Sequence, residues 1–279
     1  MKNNKNKKVI ESFGDEWDRF KNDKKELEET LYKQFLAYSE VLKKFKISSN
    51  AVAADFGAGS GRWAKYFSTM FQSLIIVEPS PKAIEVAKQN LHGLHNIKYQ
   101  QETIEESTIK EKSLDVAISL GVLHHTMDTF IALQSIANKL KPGGIFLGYL
   151  YYNLENKNLS YRIIWKSSDV ARKAISKLPK FPKIILADLI ALIIYWPLAK
   201  YAKSRIKRGM SADFIPLHHY YDMPIYMMRN DALDRFGTQI EKRFSRAEIC
   251  DMLEKTGFDL ESITFSENEP FWTFAAKKL

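Results

Sequence analysis

A single cysteine, Cys250, among 279 residues leaves no disulfide framework and no thiolate metal cluster that this chain could build alone. Such usage fits a reducing cytosol. The opening MKNNKNKK lacks the apolar stretch and small-residue cleavage site of a secretory signal, and reads as a frayed, solvated arm. Histidine is scarce as well, six in all, and four of the six form two adjacent pairs, His124–His125 and His218–His219. Adjacent side chains on a regular element point in different directions, and no carboxylate run beside either pair completes a divalent-ion cage. After LGVLHHTMD only Asp128 remains, so metal-independent chemistry is expected, with no metal site. Acidic residues are missing from one region above all. Between Asn156 and Arg208 there are thirteen Lys or Arg against two Asp and no Glu, so the net charge of +9 is concentrated in mid-chain. No RNA-binding module is recognisable there, and the basic residues alternate with an apolar helix rather than a stacking platform, so nucleic acid is not the expected partner.

What is present is enough for one substantial core and a smaller attached unit: 45% hydrophobic and 27% charged residues. KKELEETLYKQFLAYSEVLKKFK places Leu27, Leu31, Phe35, Tyr38, Leu42 and Phe45 at steps of three and four, a one-sided helix. Strand and helix patterns then alternate: AVAADF, RWAKYFSTM, SLIIVE, SPKAIEVAKQNL, NIKYQ, SLDVAISL, DTFIALQSIANKL and, after the KPGG turn, GIFLGYLYY. That rhythm belongs to a mostly parallel sheet covered on both faces. It stops at Glu155. Residues 156 to about 226 show long helical patterns with two proline-interrupted joints, LPKFPK and YWPLAK. It resumes at FSRAEICDMLEKTGF, where Ser245 and Glu248 are spaced as a capping box and Gly257 stops the helix, before DLESITF and PFWTFAAK as a closing antiparallel pair. The fold class expected is α/β, a Rossmann-like seven-stranded mostly parallel sheet with an antiparallel final strand and an inserted helical cap. Four segments follow: an amino-terminal arm and helical cap (1–48), a cofactor-binding core (49–154), a helical insertion (155–226) and a carboxyl-terminal completion of the sheet (227–279).

The stretch VAADFGAGSGRW puts three glycines behind the first strand, where a tight turn lets the backbone approach a ligand and aims amides at it. No Lys-Ser/Thr pair follows, which excludes a triphosphate loop. Gly57, Gly59 and Arg62 approximate the dinucleotide form G-x-G-x-x-G but miss its last glycine, and Glu78 at the end of the second strand suits a ribose diol in either a dinucleotide or a smaller nucleoside cofactor.

Taken in order over roughly residues 50 to 150, DFGAGSG, VEPS, SLDVAISLGVLHH and LKPGG resemble the motifs of class I S-adenosylmethionine-dependent methyltransferases. The resemblance implies that Asp55 and the backbone of Gly57, Ala58 and Gly59 meet the methionine end of S-adenosylmethionine. Glu78, with Pro79 beside it, would hold both ribose hydroxyls. An acidic residue near the adenine is also implied; in QQETIEE, Glu102 is the chemically suited side chain, while a gapless count from Asp115 favours Thr103. Leu120 would sit near the cofactor, and Arg62 matches the Gly-Arg that often ends the first motif. Gly61 is open to a helix-packing role and Trp63 to helix-to-sheet packing. SFGDEWDRF resembles the opening segment of a subset of these enzymes, many assigned to polysaccharide or small-metabolite clusters, in which an aromatic helix lies across the cleft. Phe13, Trp17 and Phe20 share one helical face, and Trp17 is the candidate cleft residue.

The family commonly carries the pair His124–His125, so one of them is expected to organise the loop; His124 is the candidate for the cleft and for proton transfer, the task to which histidine is suited at neutral pH. Tyr151 is placed to line the acceptor pocket, with one of Tyr151 and Tyr152 turned to the core. In PLHHYYDMP, His218 and His219 either contact the acceptor or belong to a polar turn that packs the insertion.

Ile184 to Ala199 is sixteen residues with one charge, Asp188, too short to span a bilayer comfortably and containing Pro197. It reads either as a buried helix of a substrate cap or homodimer interface, or, among Lys177, Lys180, Lys183, Lys200 and their neighbours, as a segment leaning on an anionic membrane. Those readings place the protein in the cytoplasm, free or peripheral to the inner face of the membrane. The same positive field would attract a phosphate-bearing acceptor such as a nucleotide sugar. The expected activity is methyl transfer to a small molecule, at a hydroxyl of a sugar or other metabolite; the rivals are a membrane-associated quinone or lipid acceptor and a noncatalytic nucleoside-binding protein.

Overall fold

The computed structural model describes residues 2–155, 159–267 and 271–279, with side chains for all but 2–6, 160 and 271. The chain divides into two compact units, Met1–Glu155 with Ile240–Leu279, and Asn156–Gln239.

In the first unit the helices α1 (Lys2–Arg19) and α2 (Glu28–Ser39) precede β1 (Val52–Phe56), α3 (Ala64–Phe67), β2 (Ser73–Val77), α4 (Pro81–Asn90), β3 (Ile97–Gln100), β4 (Leu114–Leu120), α5 (Thr129–Lys139) and β5 (Leu140–Tyr151). The seven-stranded sheet has the order β3-β2-β1-β4-β5-β7-β6 and is completed by β6 (Phe258–Phe265) and β7 (Phe271–Lys278). Neighbours from β3 to β5 are parallel, while β7 runs antiparallel to both β5 and β6. Covered on both faces, β4 is buried at every position but Asp115, as its nearly uninterrupted apolar sequence requires. Between β1 and β4 the strand order reverses, so their carboxyl ends open the crevice in which ligands bind to such sheets. The glycine loop leaves one side of that crevice and the first histidine pair leaves the other.

Local differences from expectation have local causes. α1 reaches back to Lys2 instead of leaving a frayed arm, anchored by buried Val9. The helix expected over RWAKYFSTM is only four residues, because the hydroxyls of Ser68 and Thr69 donate back to the carbonyls of Lys65 and Tyr66. β5 starts at Leu140, ahead of the KPGG turn, with a register shift against β4 between Leu114 and Val116. The capping box at Ser245 forms as its spacing predicts and opens helix α10 (Arg246–Lys255), numbered after the four helices of the second unit.

The second unit holds α6 (Leu159–Ile175), α7 (Lys180–Ile190), a π-turn over Ala191–Tyr195, α8 (Trp196–Lys207), a short turn at His218–Tyr220 and α9 (Ile225–Gly237). Pro197 does not break the chain here. It sits in the first turn of α8, directly after the π-turn, and Lys180–Lys207 runs as one helix of 28 residues, longer than the sixteen the apolar stretch alone provides. The unit ends at Gln239 rather than near 226, because Met228, Ala232 and Phe236 of α9 pack with Ala191, Tyr195 and Ala199.

Candidate cofactor and acceptor site

Gly57, Gly59 and Gly61 all adopt positive φ, at +77°, +56° and +74°, a region strained for any residue with a Cβ. Their surroundings separate their roles. A Cβ at Gly57 would stand 2.6 Å from Val122 and one at Gly59 2.6 Å from the Trp17 ring, whereas at Gly61 it would meet Leu91 at 2.9 Å and Ala87 at 3.3 Å. Gly61 is thus a helix-packing glycine, and the first two shape the crevice.

Two carboxyls lie under this loop. Asp55 at the end of β1 is buried, and its Oδ2 has no hydrogen-bond partner. Glu78, also buried, accepts from the amides of Gly59 at 3.0 Å and Ser80 at 2.9 Å. Burial first, and the neighbouring Glu78 second, push the Asp55 carboxyl up to about 7. Burial likewise pushes Glu78 up to about 7 against the lowering effect of its two amide donors. Such a pair, with one orphaned oxygen, fits a ligand that brings a cation and a diol. S-adenosylmethionine has both, its ammonium suiting Asp55 and its ribose suiting Glu78. Ala58 and Leu120 are buried at the ends of β1 and β4, and Pro79 is half-buried after β2. Glu102 and Thr103 spend their polar atoms on their own turn: Glu102 accepts from the amide and hydroxyl of Thr108, and Thr103 donates to Glu106.

α1 is fastened across this loop. Gly14 is the point of closest approach, since a Cβ there would collide with Ser80 Oγ. Asp15 pairs with Lys82 at 2.5 Å, Phe20 is buried, and Asn90 donates to the carbonyls of Lys21 and Ser60. The ion pair is solvent-exposed and contributes little, whereas burial of Phe20 contributes on the order of 2–3 kcal/mol. The Arg62 guanidinium lies 5.0 Å from the Trp17 ring and 4.7 Å from Trp63, which also packs edge-on to Tyr38. Trp17→Ala is expected to weaken S-adenosylmethionine binding about tenfold while leaving the melting temperature within a few degrees, as titration calorimetry and thermal unfolding will show.

Across the crevice His124 is fully buried and stacked on Tyr151, centroids 3.8 Å apart and planes 24° from parallel. Both of its ring nitrogens lack a hydrogen-bond partner. Burial, then His125 and Arg243, hold its pKa well below the ordinary imidazole value, so the ring is neutral. His125 has the organising role: its Nδ1–H donates to Ile240 O at 2.6 Å, and its ring lies 5.1 Å from Phe13 of α1. Of the tyrosine pair, Tyr151 faces His124 and Tyr152 is buried against Trp272.

The sequence reading missed the strap that holds this loop. Lys242 donates its amide to His124 O and its ammonium to Met127 O, and Arg243 bonds Glu241 at 2.9 Å and Tyr152 O at 3.1 Å while lying 5.1 Å from the Tyr151 ring. The adjacent Lys-Arg ahead of the capping box was the available signal. His218 and His219 lie in the second unit. His218 bonds Ile215 O at 3.1 Å, and His219 packs on Tyr220 at 4.1 Å, its pKa pushed down to about 3 by burial and by His218. Among the described residues no group of three or more His, Cys, Asp or Glu comes together to hold a metal ion.

Residues 54–148 match the profile of a family described as a methyltransferase domain. Over that stretch the chain is a methyltransferase domain, with the fold of solved S-adenosylmethionine-dependent methyltransferases. Over 161 residues the chain is 30% identical to the uncharacterized methyltransferase YcgJ of Bacillus subtilis, covering 56% of this chain and 64% of that one. The ubiquinone biosynthesis O-methyltransferase of Nitrobacter winogradskyi is 32% identical over 92 residues, 33% of this chain and 35% of the relative. The chain therefore spans less than two thirds of the length of either relative. A solved S-adenosylmethionine-dependent methyltransferase of Thermotoga maritima, described as a possible histamine N-methyltransferase, superposes with a TM-score of 0.51 at 16% identity, covering 96% of this chain and all of that one. A complex of DhpI with S-adenosylhomocysteine gives 0.51 at 13% identity over 97% of this chain and 96% of that one. These likenesses are to the fold of the methyltransferase domain.

Proposed function

We propose that the protein transfers a methyl group from S-adenosylmethionine to a hydroxyl oxygen of a small molecule, and that a ring-borne, acidic hydroxyl is preferred to that of a sugar. The observation carrying this reading is His124, neutral and buried in a wall of rings with both nitrogens unpartnered. Bound S-adenosylmethionine supplies a sulfonium-activated methyl whose C–S bond breaks as the O–C bond to the acceptor forms. Asp55 and Glu78 orient it, and α1 excludes water from the glycine loop. An aromatic acceptor that displaces part of the packing around Tyr151 would give the buried ring nitrogens of His124 the partner they lack; His124 would accept the hydroxyl hydrogen and so aim an oxygen lone pair. His124 is a poor proton store, because burial, His125 and Arg243 all oppose the imidazolium. That favours an acceptor whose proton is already acidic, such as a phenol. The name of the Nitrobacter relative, an O-methyltransferase of quinone synthesis, supports the same class.

The test compares a dihydroxybenzoate with a nucleotide sugar as acceptors at saturating S-adenosylmethionine. Phenolic O-methylation is expected, with kcat rising with pH toward ionisation of the acceptor and no break near 6.5. His124→Ala should lower kcat about 10²-fold with little change in cofactor affinity. Turnover of the sugar alone, or a full-rate His124→Ala variant, would overturn the reading.

A further inference from the structure

The second unit carries a helix turned inside out. Along Lys180–Lys207 the side chains packed into the unit are small: Ala187, Ala191, Ala199 and Ala202 are buried together with Tyr195. The bulky apolar side chains face outward, with Ile185, Leu189, Leu192, Ile193 and Trp196 each 43% to 65% exposed. A helix on a water-soluble surface does the reverse. Only 17% of its most apolar eighteen-residue stretch is buried, and the exposed Ile163 and Ile164 of α6 extend the apolar surface of this unit. Of the 26 exposed large hydrophobic residues among the described residues, 18 fall within 156–239, a concentration that ordinary surface scatter does not produce.

Charge accompanies the apolar face. The thirteen Lys or Arg and two Asp of 156–208 leave 29 basic against 31 acidic residues in the rest of the chain, so the whole positive excess lies here. Both aspartates are held by cations, Asp169 by Arg172 and Lys173, and Asp188 by Arg229. Exposed Lys177 and Lys180 stand at one end of the bulky stretch, and Lys200, Lys207 and Arg208 at the other. Lys200 Nζ lies 5.6 Å from the Trp196 ring, a cation beside an amphipathic aromatic at the boundary between apolar and basic surface.

The helix is long enough to cross a bilayer, yet its surroundings oppose a crossing. Its inner face packs on α9, which carries Arg229, Asn230, Asp231, Asp234 and Arg235, and Asp188 is bound by Arg229 through two hydrogen bonds of 3.1 and 2.9 Å. A crossing would carry those groups into hydrocarbon. We propose that this face lies on an anionic lipid bilayer, its bulky apolar side chains entering the boundary of headgroups and acyl chains to roughly 5–10 Å while the flanking lysines and arginines meet lipid phosphates. Docking of this kind is independent of the acceptor assigned above.

Flotation of the full chain with phosphatidylcholine vesicles, with and without phosphatidylglycerol, tests this. At low salt the bound fraction is expected to rise at least tenfold with phosphatidylglycerol and to fall at high salt. Leu192→Asp with Trp196→Asp should abolish binding, and Lys200→Glu with Lys207→Glu should reduce it roughly tenfold, both pairs keeping wild-type affinity for S-adenosylmethionine by calorimetry. Wild-type protein that stays with the unbound fraction on anionic vesicles would overturn the proposal. So would a dimer in sedimentation equilibrium that the same aspartate pair dissociates, since the face would then belong to a second copy.

Discussion

Replacing Glu78 by Ala is expected to weaken S-adenosylmethionine binding by about 10²-fold or more. The carboxylate is aimed by the amides of Gly59 and Ser80, so it would meet a ribose already oriented. Hydrogen bonds to a charged acceptor contribute about 1.5–3 kcal/mol each, and a ribose offers two. Water admitted by the smaller side chain returns part of that, which sets the expectation near 3 kcal/mol. Glu102→Ala is the control: its carboxylate is occupied by Thr108, and binding should change less than about threefold. Isothermal titration of both variants decides it. Equal losses would move the ribose contact away from Glu78.

The second large effect is on stability as a function of pH. Asp55 and Glu78 are both held up to about 7, above their ordinary values of 3.8 and 4.5, so the folded protein without cofactor keeps protons that the unfolded chain releases. A raised pKa contributes stability that is complete below the unfolded value and lost as pH climbs through the folded one. The loss is therefore placed between about pH 4 and pH 7, and amounts to several kcal/mol, on the order of 3–4 for each carboxyl. Melting of the cofactor-free protein should fall by about 10 °C from pH 5 to pH 8, and the double variant Asp55→Asn, Glu78→Gln should flatten that slope. S-adenosylmethionine bound as proposed would present a cation and a diol to the two groups and favour their ionised forms. Calorimetry in buffers of different ionisation enthalpy should then register proton release near pH 7. An unchanged slope in the double variant would remove these carboxyls as its source.

The parts of this protein that were legible in the sequence are those specified by neighbours. Strand runs such as SLDVAISL, the glycines of DFGAGSG and the Ser245–Glu248 box each encode their geometry within a few residues, and each forms where its pattern lies. What escaped notice is long-range. The strap from Ile240 to Phe244 reaches the histidine loop across 115 residues, and Arg243 reaches Tyr152 across 91; the adjacent Lys242 and Arg243 mark a cationic pair, but nothing local marks its partners. Pro197 misled for the opposite reason: its local meaning is a break, but the π-turn before it accommodates the ring and the helix continues. Gly61 shows both levels at once, a loop glycine by spacing whose demand for a missing Cβ comes from Leu91 and Ala87 of the α4 region.

α1 bears on the traffic of the cofactor as well as its affinity. Trp17 lies against Gly59 and Phe13 against His125, so one helix touches both banks of the crevice. A ligand bound beneath it would leave only when those contacts part together. Cofactor exchange would then be gated by local opening of α1, at a cost set by the packing of Phe20 and Trp17 and the close approach at Gly14.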